Sequence, residues 1–321
     1  MSGEREQVLA ELRPVAFAVA YRMLGSVTEA EDVVQEALLR LDAVLSSGER
    51  ISSPRAYIAT VTTRLAIDEL RSARARRETY VGEWLPEPLL GAGDEDPADR
   101  VELAESLSVG FLLLLERLTP EERAVLLLHD VFGYGYGEVG EVIGKTADNA
   151  RQIASRARRH LGAETPRFEG SRQHRDELAG RFLAAAQTGE VEALKELLAR
   201  DVVLRGDGGG KVPALARPLR GPDRVAQALV NWSRQGQRAG VEPRPTGING
   251  NPGVLFVDPD GGLIGAMSVE VSDGGIAAVN SVVNPDKLRH LGPVGDMRAL
   301  LGRAAEAARS QQGPSRRSSR R

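Results

Sequence analysis

A tight glycine turn between two short helical patterns constrains this chain more than any other feature of its sequence. The pattern first predicts a helix over Pro120–Leu128 after a Thr119 cap, followed by a flexible joint at Gly133–Gly137. It then predicts a short helix over Glu138–Ile143, a turn at Gly144–Thr146 and a last helix over Ala147–Leu161. Two short helices joined by such a turn must pack closely against each other.

The last of these helices has two chemically different faces. Its narrow inner face carries Ala150, Ile153, Ala154, Ala157 and Leu161. Its outer face carries Asp148, Arg151, Gln152, Ser155, Arg158 and Arg159. Small inner residues allow close helix packing, and arginine and glutamine can reach base edges and phosphates. The pattern favours a DNA-binding helix-turn-helix, and an ordinary helical hairpin with a basic side is the alternative.

Composition narrows the class of protein. The 321 residues indicate two or three domains, and the absence of cysteine excludes disulfides, thiolate zinc sites and cysteine nucleophiles. The four histidines form no ligand cluster, so a metal site would need carboxylates alone. We expect neither a metal nor another cofactor. The net charge of −3 argues against nucleic-acid binding, but the arginines are clustered, at 64–77, 151–159 and 316–321. The polar N-terminus and the short apolar runs predict a cytoplasmic protein with no membrane partner.

Two earlier helical patterns carry candidate surfaces. Within Glu29–Leu41, an apolar stripe lies opposite Asp32, Gln35 and Glu36, with Leu39 in the middle of that polar face. This arrangement suggests a protein-binding surface or a solvated face with one exposed leucine. A second helix begins at Ser52, Ser53 and Pro54 and runs to about Arg77. One of its faces is an apolar stripe of Tyr57, Ile58, Val61 and Leu65. Another face bears Thr60, Thr63, Arg64, Arg71 and Arg74, with Ile67 among them. Hydroxyls and arginines suit contacts with nucleic acid, and solvated arginines are the alternative.

The remainder of the chain differs in composition. Residues 78–105 are rich in proline, glycine and acids, which predicts a linker. Helical periodicity over 172–199 is followed by alternating stretches such as Val269–Val271 and Ala277–Val283, an α+β pattern. The polar tail from about residue 309 predicts disorder.

Three segments together resemble the extracytoplasmic-function sigma factors. Ala30–Ala37 resembles the polymerase-binding helix of sigma region two, and Ser53–Arg71 its promoter-melting helix. Leu118–Arg158 resembles sigma region four. Their order and spacing agree over residues 8–163, and Ala150-Arg151-Gln152 departs from the Val-Lys-Ser that many such factors carry.

Three further motifs narrow the resemblance to factors of the SigJ type, which have a fused C-terminal SnoaL-like domain of the nuclear-transport-factor-two-like (NTF2-like) superfamily. They are Trp84-Leu85-Pro86-Glu87-Pro88, Asp207-Gly208-Gly209-Gly210-Lys211 and Asn284-Pro285-Asp286-Lys287-Leu288. The expected fold is therefore multidomain, with two all-α sigma domains followed by an α+β cone. The expected segments are 1–77 for region two, 78–105 for the linker, 106–163 for region four, 170–291 for the SnoaL-like domain and 292–321 for a short helix and a disordered basic tail.

The resemblance implies a transcription initiation factor that directs core RNA polymerase to specific promoters and is modulated by its own C-terminal domain. Its partners would be promoter DNA and the polymerase core, through the β′ clamp helices and the β flap. Asp32, Gln35, Glu36 and Leu39 would contact the clamp helices. Thr60, Thr63, Arg64, Arg71 and Arg74 would hold the minus-ten element. Asn149, Arg151, Gln152, Ser155, Arg156 and Arg159 would read the minus-thirty-five element. The interdomain regulatory residues would be Trp84, Pro86, Pro88, Asp207, Lys211, Asn284, Asp286 and Lys287.

Other functions stay open on the sequence alone. SnoaL-like domains include enzymes, and Asp201, Asp207 and Asp258 are candidate acid or base residues, although two of them lie in turns where aspartate is common. We expect no catalysis. A small-molecule ligand in the apolar cone, with Trp232 lining or filling it, is a further hypothesis. A helix-turn-helix repressor is another, but a repressor does not need the Asp32–Glu36 face.

Overall fold

The computed structural model describes residues 2–47, 51–91, 106–162, 172–272 and 274–311. These residues form two compact units. The first contains the helices before residue 163 together with Trp84–Leu89, and the second contains the later residues together with Val81–Glu83 and Leu90. Most of the predicted linker beyond Gly91 and the basic end of the tail lie outside the described residues. The division into five segments stays a prediction.

The first three helices of unit one pack together. They are α1 (Ser2–Leu24), α2 (Val27–Ser46) and α3 (Pro54–Glu78). The α2 helix begins where the Ser26 side chain accepts a hydrogen bond from the backbone N–H of Glu29, two residues before the predicted start. Its apolar stripe, including Val34, Ala37 and Leu41, is buried as the periodicity predicts.

The second group of helices in unit one contains the predicted helix-turn-helix. Its elements are α4 (Val109–Leu115), α5 (Pro120–Leu126), a π-helical turn (Leu127–Val131), α6 (Tyr136–Ile143) and α7 (Ala147–Leu161). Thr119 caps α5 as predicted, and the Glu122 side chain completes a reciprocal capping box with it. The α6 helix begins at Tyr136, so the prediction that it starts at Glu138 and that the glycine joint extends to Gly137 was wrong. A Glu138 side chain that bonds the Gly135 backbone N–H stabilises the earlier start.

Unit two has an α+β fold, which confirms the expected class. Its elements are α8 (Arg172–Thr188), α9 (Val191–Leu197), β1 (Leu198–Asp207), β2 (Leu219–Arg220), α10 (Pro222–Arg238), β3 (Glu242–Ile248), β4 (Asn251–Val257), β5 (Leu263–Ser272), β6 (Gly275–Val282), α11 (Pro285–Leu288), a 3-10 turn (Arg289–Leu291) and α12 (Met297–Gln311). The sheet order is β2-β1-β6-β5-β4-β3. Only β1 and β6 pair in parallel among the described strands.

One face of this sheet holds the hydrophobic core of unit two. Alternate strand residues such as Leu204, Val269 and Val279 pack against Phe182 of α8 and Leu229 of α10. Alternation along a strand sends successive side chains to opposite faces, so the other face receives Arg205, Asp207 and Asn280. Asp207, at the end of β1, lies beside the start of α11, where its backbone carbonyl accepts from the Asn284 N–H.

Among the described residues, no helix is both long and apolar enough to cross a membrane.

Candidate nucleic-acid interface

The α7 helix is held by its inner face, as predicted. Ala150, Ile153 and Ala154 are buried against residues of α5 and α6. Thr146 caps the helix by accepting a hydrogen bond from the Asn149 backbone N–H at 3.3 Å. A Cβ on Gly140 of α6 would lie only 2.7 Å from the Lys145 carbonyl oxygen, so glycine is needed where α6 meets the turn. Close packing through small residues thus fixes the direction of α7.

The outer face of α7 is open to solvent over the described part of the chain. All six residues predicted to read the minus-thirty-five element are exposed: Asn149, Arg151, Gln152, Ser155, Arg156 and Arg159. Arg151 forms an ion pair within its own helix, with its Nη1 3.2 Å from Oδ1 of Asp148. An exposed row of guanidinium, amide and hydroxyl groups is the chemistry that major-groove readout uses.

Arg158 has a different environment, which the sequence did not indicate. Its guanidinium bonds both carboxylate oxygens of Asp130, at 2.5 and 3.2 Å, and donates to the Tyr136 hydroxyl at 3.4 Å. The hydrogen bond with the Asp130 carboxylate raises the pKa of Arg158 above its usual value. Asp130 and Tyr136 are 28 and 22 residues away in sequence, so periodicity along α7 could not reveal them. Arg158 joins α7 to the preceding helices.

A cleft of about 590 Å³ runs beside α7 and brings two predicted surfaces together. Its lining includes Arg71 of α3 and four residues of α7, the polar Asn149, Gln152 and Arg156 together with Ile153. Lys145 adds another cation, and Glu121 and Glu122 add carboxylates. The cleft therefore has mixed charge. Its carboxylates belong to α5, and its cations and amides belong to α3, α7 and the turn before α7.

The α3 helix packs on two sides, against α1 and α2 and also against α5 and α6. The predicted assignment of its faces was wrong in part. Ile67 is buried together with Thr63, whose hydroxyl donates to the Ala59 carbonyl at 2.7 Å. Of the predicted apolar stripe, Ile58 is buried, whereas Tyr57, Val61 and Leu65 are only half-buried. A helix packed on two sides buries more than one stripe.

The remaining α3 candidates lie at different positions. The half-buried Thr60 donates its hydroxyl to the Ala56 carbonyl at 2.8 Å. Arg64 is exposed but donates to the Val142 and Glu141 carbonyls at the end of α6, both at 2.8 Å. Arg71 bonds Asp68 and lies 3.5 Å from Glu121 of α5. The side chain of Arg74 lies outside the described residues. In this arrangement, Arg64 and Arg71 bind helices of the helix-turn-helix group.

The polar face of α2 matches its prediction. Asp32, Gln35 and Glu36 are exposed, and Leu39 is 59% exposed among them. A groove of about 510 Å³ between α1 and α2 includes Leu39, Asp32 and Gln35 in its lining. The groove thus presents one apolar side chain framed by polar groups, as the sequence predicts.

The segment Trp84–Leu89 is anchored to the start of α2. The Glu87 carboxylate accepts hydrogen bonds from the Ser26 hydroxyl at 2.9 Å and from the Val27 and Thr28 backbone N–H groups at 2.8 and 3.2 Å. Gly25 has a φ of +66°, and a Cβ there would lie 2.7 Å from Trp84. Pro86 and Pro88 are buried on either side of Glu87. The negative charge of Glu87 at a helix N-terminus is favourable because of the helix dipole.

In unit two, the other two motifs are joined by ion pairs. The Lys287 Nζ lies 2.7 Å from Oδ2 of Asp207, and both side chains are buried. Lys211 also pairs with Asp286. Asn284 caps α11 by accepting from the Asp286 backbone N–H at 3.1 Å. The two motifs therefore form one clasp, which a separation of 80 residues hides in the sequence.

Linker residues pack onto unit two beside this clasp. A Cβ on Gly210 would lie 2.9 Å from Val81, so the glycine turn lets Val81 approach the backbone closely. Glu83 lies 3.5 Å from Arg205. Burial raises the pKa of Glu83, and the charge of Arg205 partly offsets this effect. Leu90 pairs with Ile248 in an isolated antiparallel bridge. Both flanks of Trp84–Leu89 are thus bound by unit two.

Two of the three candidate acid or base residues of unit two are engaged in contacts that stabilise the fold. The buried Asp207 accepts from the Gly209 backbone N–H and pairs with Lys287. Asp258 accepts from the Asp260 and Gly262 backbone N–H groups within its own turn. Asp201 is exposed. Trp232 packs against the hydrophobic core. The described part of the chain contains no group of three or more His, Cys, Asp or Glu side chains that could hold a metal ion.

Comparison with known proteins matches both helical groups of unit one. Residues 8–76 match the family model for Sigma-70 region 2, and residues 109–161 match that for Sigma-70, region 4. The chain is 38% identical to the ECF RNA polymerase sigma factor SigJ of Mycobacterium tuberculosis over 289 residues, covering 86% of this chain and 90% of the relative. It is 33% identical to the probable ECF RNA polymerase sigma factor SigI of the same species, covering 84% and 90%. The crystal structure of Mycobacterium tuberculosis SigJ superposes with a TM-score of 0.69 at 32% identity, covering 89% of this chain and 99% of that one.

Proposed function

Because this chain belongs to the extracytoplasmic-function sigma factors of RNA polymerase, we propose that it directs the polymerase core to promoters through three surfaces of unit one. The α2 face around Leu39 contacts the β′ clamp helices, α3 holds the minus-ten element, and α7 reads the minus-thirty-five element. Region four also contacts the β flap. A factor with these partners acts where the chromosome is, in the cytoplasm.

One observation carries this proposal: a protein-binding face and a DNA-reading face coexist in the same compact unit. The exposed Leu39 with Asp32, Gln35 and Glu36 serves no purpose in a repressor that binds DNA alone. The α7 face supplies the base-reading chemistry. Two modules of modest affinity gain strength when they are tethered on one polymerase.

The packing of α3 on α6 supports a second part of the proposal, that unit one must open. The centres of the two promoter elements lie about 25 base pairs apart, which is about 85 Å at 3.4 Å per base pair. A compact unit of about 160 residues has a radius of gyration of about 15 Å. Since Arg64 bonds α6 directly at 2.8 Å, α3 and α7 cannot reach both elements in this arrangement. Polymerase binding separates them.

We further propose that unit two regulates this opening by holding the linker. Unit one holds Glu87 through three hydrogen bonds, and unit two holds the linker on either side of it, at Val81, Glu83 and Leu90. The Asp207–Lys287 and Lys211–Asp286 pairs shape the glycine turn beside Val81. The eight predicted interdomain residues would thus set how far the linker can extend.

A catalytic role for unit two has less support, because both candidate carboxylates are already engaged. Asp207 accepts from the Gly209 backbone N–H and pairs with Lys287, and Asp258 accepts from backbone N–H groups of its own turn. A small-molecule ligand has no comparable support either. The ligand was expected in the apolar interior of the domain, and side chains that include Phe182, Leu194 and Met267 pack together there as a hydrophobic core. We therefore propose regulation through contacts and not through catalysis.

In-vitro transcription with core polymerase tests the initiation function. The template is the promoter upstream of the protein's own operon, and the full chain is compared with a form that ends at Gly162. Core-dependent transcripts are expected. Asp32→Ala with Leu39→Ala should abolish them while DNA binding by α7 persists. DNA binding without core binding would contradict the proposal and favour a repressor.

The regulatory part has its own test in the full chain. Trp84→Ala and Asp286→Ala should each change the yield of transcript, because the first loosens the linker on unit one and the second breaks the pair with Lys211. Asp260→Ala, in an exposed turn of unit two, is the matched control and should leave the yield unchanged. Unchanged transcription in both test variants would refute regulation through the linker.

A further inference from the structure

Tyr136, the first residue of α6, is the meeting point of three side chains. The His129 ring stacks on its ring, with centroids 3.9 Å apart and an interplanar angle of 25°. The Arg151 guanidinium lies over the same ring, 5.3 Å from its centroid. Arg158 donates to the Tyr136 hydroxyl at 3.4 Å. Tyr136 thus contacts two arginines of α7 in two different ways.

These contacts make the tyrosine ring a fixed platform. The His129 Nδ1 lies 2.8 Å from the Tyr134 carbonyl oxygen, which orients the imidazole beneath the ring. The Arg158 guanidinium, itself bonded to both oxygens of Asp130, holds the hydroxyl end. Because its neighbours hold both the ring and the hydroxyl, the position of Tyr136 is set before any ligand binds.

Arg151 is in the opposite situation. Its side chain is 63% exposed, and it contacts the exposed Asp148 at 3.2 Å and the Tyr136 ring. A free arginine samples many rotamers, and ordering it on binding costs entropy. The face of an aromatic ring carries negative potential that attracts a guanidinium. The ring therefore limits the directions in which Arg151 can point.

We propose that Tyr136 is a specificity-determining residue that positions Arg151 for base recognition in the minus-thirty-five element. This inference rests on the proposed function, in which α7 enters the major groove. A guanidinium held in one direction can make the paired hydrogen bonds to O6 and N7 that select guanine. Tyr136 does not contact DNA, and it acts through Arg151. The base pair that Arg151 reads is then a guanine–cytosine pair.

The two arginines of the platform divide the work. Arg158 bonds both Asp130 and Tyr136 and serves to fix the ring. Arg151 retains donors that face solvent. Removing the hydroxyl alone should therefore have less effect on base preference than removing the negative potential of the ring face.

The experiment measures base preference with the full chain in polymerase holoenzyme, by selection from promoters randomised in the minus-thirty-five element. Arg151→Ala identifies the base pair whose guanine preference depends on that side chain. Tyr136→Phe keeps the ring, and trifluorophenylalanine at position 136 keeps the shape but removes the negative potential of the face. The same fluorinated residue at position 134 is the matched control, compared with Tyr134→Phe.

We expect the fluorinated ring at position 136 to reduce guanine preference at that one base pair by about two- to fivefold relative to Tyr136→Phe, as a cation–π contact at an exposed site supports. In an Arg151→Ala background it should have no further effect. The control at position 134 should leave every preference unchanged. Because the substituted rings are nearly isosteric, loss of folding does not confuse the result.

An unchanged preference with the fluorinated ring, or an equal loss at every position of the element, would overturn the inference. If Arg151→Ala changes the preference and the ring substitution does not, only the positioning role fails. If the unaltered holoenzyme shows no base preference in the element, the proposed reading by α7 fails first, and this inference fails with it.

Discussion

The α3 and α7 helices both carry arginines and hydroxyls that predict DNA contact, yet their surroundings differ. All six predicted reading residues of α7 are exposed. On α3, Thr63 is buried and Arg64 is engaged by carbonyl oxygens of α6. The candidate DNA-contacting residues of α7 all face solvent, whereas some of those on α3 pack against neighbouring helices.

Side-chain size on the inner face explains this difference. The inner positions of α7 are mostly alanines, so α5 and α6 approach from one side only. On α3, large apolar residues and threonines occur around most of the helix, and neighbours pack on two sides. A narrow stripe of small residues predicts the outer face reliably, and a broad mixed surface does not.

The largest expected effect tests the inner face of α7. Ala154→Leu inserts extra methylenes where the alanine is 1% exposed, and overpacking of this kind costs about 1–3 kcal/mol. Gln152→Leu, an exposed control on the same helix, should change stability by less than about 0.5 kcal/mol. Hydrogen–deuterium exchange of the α7 amides measures both effects. Equal protection in the two variants would show that α7 is not held by its inner face.

A smaller effect concerns the contact between α3 and α6. Arg64→Ala removes two charged hydrogen bonds to the carbonyl end of α6, and its exposed position limits the loss to about 1 kcal/mol. The absence of native cysteines allows a fluorophore pair to be placed on engineered cysteines in α3 and α6. Energy transfer between the dyes should fall because the open population grows.

Arg71→Ala is the comparison variant for this measurement. It loses a longer contact of 3.5 Å to Glu121, where both side chains are partly exposed, and should shift energy transfer less. A larger shift for Arg71→Ala than for Arg64→Ala would mean that the α5 contact, not the α6 contact, keeps unit one closed.

The smallest effect is an opposite pH response of two glutamates. Burial would raise the pKa of Glu122, but hydrogen bonds from Thr119 and His160 outweigh it, so the pKa is lowered. Its contribution to stability is therefore present above the usual glutamate pKa and is lost as pH falls. Burial raises the pKa of Glu83, so its contribution is present at low pH and is lost as pH rises through the raised pKa.

Amide exchange measured across a pH series, with Glu122→Gln and Glu83→Gln, checks these signs. Glu122→Gln should reduce the loss of protection in α5 on the acid side. Glu83→Gln should reduce the loss of protection in β1 as pH rises above the usual glutamate range. The same sign of change in both variants would contradict the two assignments.

Local patterns predicted much of this molecule, and distant contacts were beyond them. The Thr119 cap, the turn at Gly144 and the buried face of α7 follow from residues within a few positions of each other. The Asp207–Lys287 pair and the Asp130–Arg158 contact join residues far apart in sequence, which periodicity does not report. For Tyr136 the sequence offered one weak indication of a role: residues 133–137 alternate glycine with tyrosine, so that Tyr134 and Tyr136 are the only residues there with large side chains.

The Glu87 carboxylate at the start of α2 has a practical consequence for the design of fragments. The matched region-two segment ends at residue 76, eleven residues before this cap. A fragment cut at that boundary would lose the acceptor for the Val27 and Thr28 backbone N–H groups, and α2 would fray from the end nearest Asp32. Fragments intended for polymerase pull-down should therefore extend through Leu89, with the intervening segment retained.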